Sequence, residues 1–172
     1  MNYMIVYSSF TGNTKIIAEA IKDALKESSC TYCGEIEGSA NHDADILFVG
    51  FCVHKGSCTD EIKHYLESLE NQKIALFGTA GFGGSESYFE TILEEVKSYI
   101  PKSNNIIGSF MCQGKMAKNV LERYSKMLEE KPGNREIMDM INNYHNALSH
   151  PDENDLDRVQ MFAKKMLSDF NG

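Results

Sequence analysis

The chain has no tryptophan, only three prolines, and arginine only at positions 123, 135 and 158 of 172 residues. No linker rich in proline or serine, no internal repeat and no low-complexity segment interrupts it. A single domain over residues 1–172 is therefore expected. No apolar run approaches the roughly 20 residues that span a bilayer. The opening MNYMIVYSSFTGNT lacks a basic stretch and a small-residue cleavage site, so a cytoplasmic chain is expected. Positive charge is scarce too: 17 Lys and Arg face 25 Asp and Glu, a net charge of −8. That balance argues against nucleic acid and anionic membrane as partners, though not against a site for one phosphate. Five cysteines is an odd number, and free thiols in a reducing compartment are the expectation.

What is present alternates. Nearly continuous apolar runs at Tyr3–Tyr7, Ile46–Phe51 and Ile74–Phe77 read as strands covered on both faces. Ile106–Met111 is a fourth, and Thr31–Glu37 a weaker one suited to an edge. Between them lie helical patterns. The first runs over about residues 13–27, with Ile16, Ile17, Ala20, Ile21, Ala24 and Leu25 on one face. The second carries Ile62, Tyr65, Leu66 and Leu69; the third carries Phe89, Ile92, Leu93, Val96 and Ile100 and stops at Pro101. Such alternation predicts βαβ units and a doubly wound parallel sheet.

The last third breaks the rhythm. Residues 113–150 hold two helical patterns with no strand between them, one around Met116, Val120, Tyr124 and Met127, the other around Ile137, Met140, Tyr144 and Ala147. Their methionines read as core. A final helix follows His150-Pro151, with Asp152 or Asp155 as N-cap and Leu156, Val159, Phe162, Ala163, Met166 and Phe170 as its stripe.

The strongest chemical pattern is SSFTGNT, Ser8 to Thr14, where the first strand gives way to the first helix. A helix N-terminus offers unpaired N–H groups and the positive end of the dipole, and a loop of hydroxyls and glycine there suits a phosphate. Ser9, Thr11 and Thr14 supply hydroxyls, Asn13 an amide, and Gly12 a tight backbone. No Lys or Arg lies inside the loop.

This segment resembles the phosphate loop of flavodoxins, written T/S-x-T-G-x-T and met by Ser9, Thr11, Gly12 and Thr14. The resemblance extends to Gly50–Asp60 after the third strand and Phe77–Phe89 after the fourth, where that family places its two flavin loops. A bacterial subgroup also shares Lys55-Gly56, Leu76–Gly83 and Cys112–Met116, and some of its members resemble partners of a bilirubin reductase.

The resemblance implies an α/β flavodoxin-like three-layer sandwich, five parallel strands in the order 2-1-3-4-5, with extra C-terminal helices. It implies FMN as cofactor, held by Ser8, Ser9, Phe10, Thr11, Gly12, Asn13 and Thr14 at the phosphate, by Val53, His54, Lys55 and Gly56 in the first flavin loop, and by Thr79, Ala80, Gly81, Phe82 and Gly83 in the second. Without a tryptophan, the flavin's cover falls to Val53 or His54 on one side and to Phe82, with Tyr88 behind it, on the other. The family also implies a peptide that turns over when the flavin takes one electron, and Lys55–Gly56 fits that role. The implied function is one-electron transfer between a reductase or ferredoxin-type donor and an acceptor enzyme, with no catalytic side chain. The acidic charge suits a low potential, because reduced FMN gains a second anionic centre.

Two alternatives remain: an NAD(P)H-dependent FMN reductase acting on a quinone or other small molecule, and a cofactor-free binding protein on the same fold. Cys30-x-x-Cys33 has no second pair, Cys52 and Cys58 read as packing residues, and the histidines at 42, 54, 64, 145 and 150 lack ligand spacing, so no metal is expected. A Cys followed by Arg six positions later, as a low-mass phosphatase needs, is absent. So are acidic residues at the end of the first strand, where Tyr7, Ser8 and Ser9 stand. The glycines at 81, 83 and 84 miss the dinucleotide spacing.

Overall fold

A computed structural model describes residues 1–36, 44–83 and 85–169. Glu37, His42, Gly84 and Phe170 lie outside them. The strands are β1 (Asn2–Tyr7), β2 (Ser29–Glu35), β3 (Ile46–Cys52), β4 (Lys73–Ala80) and β5 (Asn105–Gln113). The helices are α1 (Asn13–Ala24), α2 (Asp60–Glu67), α3 (Glu86–Lys97), α4 (Lys118–Glu130), α5 (Arg135–Ala147) and α6 (Glu153–Ser168). All strand pairs are parallel and the order is β2-β1-β3-β4-β5, as expected.

The two faces are sealed by different helices. Met4, Val6, Leu47, Val49 and Leu76 pack with Ile62 and Leu66 of α2 and Ile92 and Val96 of α3. Tyr3, Ile5, Phe48 and Phe77 pack with Ile17 and Ile21 of α1 and Val159 and Ala163 of α6. Two-sided burial explains why β1, β3 and β4 read as unbroken apolar runs. β2, at the edge, is half-exposed, and its pairing with β1 shifts register between Tyr3 and Met4. That irregularity lets Cys30 and Cys33, three apart on a strand, both pack on the α1–α6 side.

Two strands outrun their apolar stretches. β4 continues to Ala80 and β5 to Gln113, so Thr79, Ala80 and Gln113 are strand residues at the carboxyl edge rather than loop residues. α1 ends at Ala24, short of the expected 27. The expected core role of the methionines does not hold for α4 and α5. Met127 and Met138 are exposed, and neither apolar cluster includes a residue of these two helices among the described residues. α4 and α5 pack on each other, and Tyr124, Ile137, Tyr144 and Ala147 are their buried residues. Asp152 caps α6 and Asp155 completes the reciprocal capping box. No described helix is long and apolar enough to cross a membrane.

Candidate functional site

The carboxyl ends of β1, β3 and β4 face one cleft, the place where open α/β sheets bind ligands. Its first wall is the loop from Ser8 to Gly12. Ser8 is buried, with its N–H bonded to the Gly50 carbonyl of β3. Gly12 sits at φ 84°, a left-handed value that turns the chain sharply into α1. No side chain of the N-cap residue closes this helix end, whereas α2, α3, α5 and α6 are closed by Thr59, Ser85, Asn134 and Asp152. α4 also lacks a side-chain cap, at Ala117, and Ala117 lines the same cleft.

Hydrogen bonding sets which protons the loop can offer. Asn13 Nδ2 donates to Thr11 Oγ1 at 2.8 Å, and Lys15 N–H donates to Ser9 Oγ at 3.3 Å. Both hydroxyls therefore accept within the loop and keep their own protons for something outside it. Thr14 is different: its side chain is fully buried, and its hydroxyl lies 2.9 Å from that of Thr79. This pair ties α1 to β4, where Thr79 also lines the cleft.

A cavity of about 190 Å³ gathers Phe10, Thr11, Asn13, Val53, Thr79, Ala80 and Gly81 from the expected residues. Cys52, Lys115, Met116, Ala117 and Val120 complete it. A second cavity of about 430 Å³ shares Phe10 and holds His54 and Lys55, together with Ser57, Cys58, Thr59, Asp60, Lys63 and Tyr99. Lys55 and Gly56, at φ 49° and 79°, form the tip of a two-residue turn closed by His54 N–H to Ser57 O at 2.8 Å and Ser57 N–H to His54 O at 3.0 Å. Phe82 and Gly83 line neither cavity: Phe82 is 39% exposed at the rim, and Gly83 lies against Gln113. Tyr88 packs against the apolar cluster on the α2–α3 side.

The wall from Lys115 to Val120 belongs to the helical insertion over residues 113–150 and begins within the CQGKM segment. The chain leaves β5 and crosses toward α1, so that Asn13 Nδ2 also donates to the Lys115 carbonyl at 2.8 Å. The crossing is so close that a Cβ on Gly114 would lie 2.5 Å from Asn13 Nδ2. Lys115, itself exposed, is among the residues that line the cleft. Asn13 Oδ1 is the buried side-chain polar atom left without a partner among the described residues.

Burial pushes the thiols of Cys33, Cys52 and Cys112 upward and that of Cys58 up to about 11, so they stay protonated near neutrality. His150, Asp152 and Asp155 bring ligand-type atoms within 4.8 Å of one another. Those atoms are engaged in holding α6: Asp155 Oδ2 accepts from Asp152 N–H at 3.0 Å and lies 2.6 Å from His150 Nδ1.

A family model described as a flavodoxin domain matches residues 4–164. The chain is 42% identical over 170 residues to a flavodoxin-like domain-containing protein, BilS, of Clostridioides difficile, covering 97% of both chains. Oxidised flavodoxin 1 of Bacillus cereus superposes with a TM-score of 0.61 at 12% identity, covering 98% of each chain. A flavoprotein of Lactobacillus acidophilus, solved in complex with FMN, superposes with a TM-score of 0.51 at 20% identity, covering 64% of this chain and 92% of that one.

Proposed function

The chain belongs to the flavodoxin family, and from that premise we propose that it binds FMN in this cleft and carries electrons one at a time between protein partners. The observation that carries the reading is the N-terminus of α1, whose N-cap is Gly12 at φ 84° with no capping side chain, flanked by the hydroxyls of Ser9 and Thr11, whose oxygens accept from Lys15 N–H and Asn13 Nδ2 and leave their own protons to donate. That donor set matches a phosphate dianion, which needs many N–H and O–H groups when no cation sits in the loop.

Beyond the phosphate end, Phe10, Val53, Ala80, Met116 and Val120 give the cleft apolar walls suited to a flat heterocycle. Val53 and Met116 take the covering role for which no tryptophan is available. FMN when bound supplies the redox chemistry. The chain's residues bind it, exclude water from one side and leave the rim open. No side chain has to give or take a proton. The rim carries Phe10, 70% exposed, and Phe82, and these form the face that meets a reductase or ferredoxin-type donor and then an acceptor enzyme. The resemblance carried by Lys55-Gly56, Leu76–Gly83 and Cys112–Met116 extends the proposal to a bilirubin reductase as that acceptor.

The test is titration of the purified chain with FMN, followed by stepwise reduction under a visible spectrum. Quenching of flavin fluorescence, and a spectrum that passes through a distinct one-electron stage, support the carrier. A chain that leaves FMN fluorescence unchanged is a cofactor-free binding protein. The reductase reading needs a pocket over the flavin, and the segment from Lys115 to Val120 adds a wall to this cleft. Rapid bleaching by NAD(P)H alone, with repeated turnover of a quinone, would select it.

A further inference from the structure

Gly81 stands at the carboxyl end of β4, on the wall of the proposed flavin cleft. Its carbonyl accepts two side-chain hydrogen bonds, from Gln113 Nε2 at 3.0 Å and from Asn143 Nδ2 at 3.1 Å. The two donors are themselves joined, since Gln113 Nε2 also donates to Asn143 Oδ1 at 3.1 Å. Asn143 belongs to α5, on the helical pair that interrupts the alternating pattern, and lies 62 residues from Gly81. The loop's glycines match this contact. A Cβ on Gly81 would meet Met116 Cγ at 2.5 Å, and one on Gly83 would meet Gln113 Cδ at 2.7 Å. Gly81 thus admits the segment after β5 and Gly83 the last residue of β5, rather than serving only the approach of a ligand.

A trans peptide holds C=O and N–H antiparallel. Fixing the Gly81 carbonyl toward Gln113 and Asn143 therefore fixes the Phe82 N–H in the opposite direction, away from α5. We infer that Asn143, acting with Gln113, is a positioning residue for the cofactor: it aims the Gly81–Phe82 peptide so that its N–H is offered to the ring edge of the flavin. The inference rests on the flavin reading above and deepens it, because it makes the α4–α5 pair part of the redox site. A donor at the ring edge favours the more negative, reduced ring over the oxidised one. Loss of that aim lowers affinity for flavin and lowers it more for the reduced form.

The experiment uses the full chain and two variants, Asn143→Leu and the size-matched Asn143→Asp, with exposed Asn142→Ala as control. FMN and riboflavin affinities, the two-electron midpoint potential and the thermal midpoint of the flavin-free chain are measured. The expected result is a three- to tenfold loss of affinity in both Asn143 variants, the equivalent of about one hydrogen bond. The loss is the same for FMN and riboflavin, and the midpoint potential falls. Asn143→Asp keeps the shape but cannot donate, so it reads the effect even if the leucine variant folds poorly. Unchanged affinity and potential in both variants overturn the inference, as does a fall in thermal midpoint alone. A loss confined to FMN also overturns it, because the contact would then act at the phosphate end. A parent chain that binds neither flavin overturns the proposed function itself, and this inference with it.

Discussion

The hydroxyls of Thr14 and Thr79 meet at 2.9 Å with both side chains sealed from solvent, joining the first turn of α1 to the end of β4. Each is the other's partner. Thr79→Val therefore leaves a buried hydroxyl unpaired and should cost about 1–3 kcal/mol, whereas replacing both residues by Val should cost much less. Chemical denaturation of the two single variants and the double variant checks this. A strictly additive double would mean that the hydroxyls do not depend on each other.

Thr11 faces the opposite situation. Its oxygen already accepts from Asn13, so its proton is free for a ligand. Thr11→Val should weaken FMN binding about tenfold or more, the value of a charge-assisted bond of about 1.5–3 kcal/mol. Riboflavin, which has no phosphate, should bind both forms alike. Fluorescence titration with the two flavins separates the outcomes, and equal losses for both would remove Thr11 from the phosphate site.

The turn at Lys55-Gly56 bears on the peptide that the flavodoxin resemblance expects to turn over. Positive φ at both central residues marks a type I′ turn. Turning its central peptide over produces type II′, which places Lys55 in a region that glycine alone occupies readily. Lys55→Gly should therefore ease the change and raise the potential of the first one-electron step. Gly56→Val should strain the type I′ turn, where a β-branched residue at φ near 79° is a steric outlier, but not type II′, where that φ turns negative, so it too should raise that potential. A redox titration of both variants reads the two steps. Identical potentials in all three proteins would place no peptide change at this turn.

Acid should act through the start of α6. Bonding to the Asp155 N–H holds the Asp152 carboxyl below its ordinary value of 3.8. A carboxylate depressed in the folded state contributes stability above its unfolded pKa, and that contribution is lost as pH falls through the lower, folded value. Asp152→Asn keeps a good cap and removes the titration. Its stability near neutrality should stay close to the parent's, and its loss as pH falls below the ordinary value of 3.8 should be shallower. Parallel acid limbs in urea denaturation would exclude Asp152 as a contributor.

Much of the frame is local and therefore legible in the chain. β1, β3 and β4 announce themselves because both faces are covered and nearly every residue is apolar. The SSFTGNT loop is legible because a helix start, its hydroxyls and its glycine are neighbours in sequence. What tertiary structure alone decided is what meets across the cleft. Asn13 reaches Lys115 over 102 residues, Thr14 reaches Thr79 over 65, and Asn143 reaches Gly81 over 62. The direction of the α4–α5 pair was likewise hidden, because a helix that covers a cleft and one that fills a core share the same apolar period. Periodicity records that a face is buried; only the path of the chain after β5 determines what it is buried against.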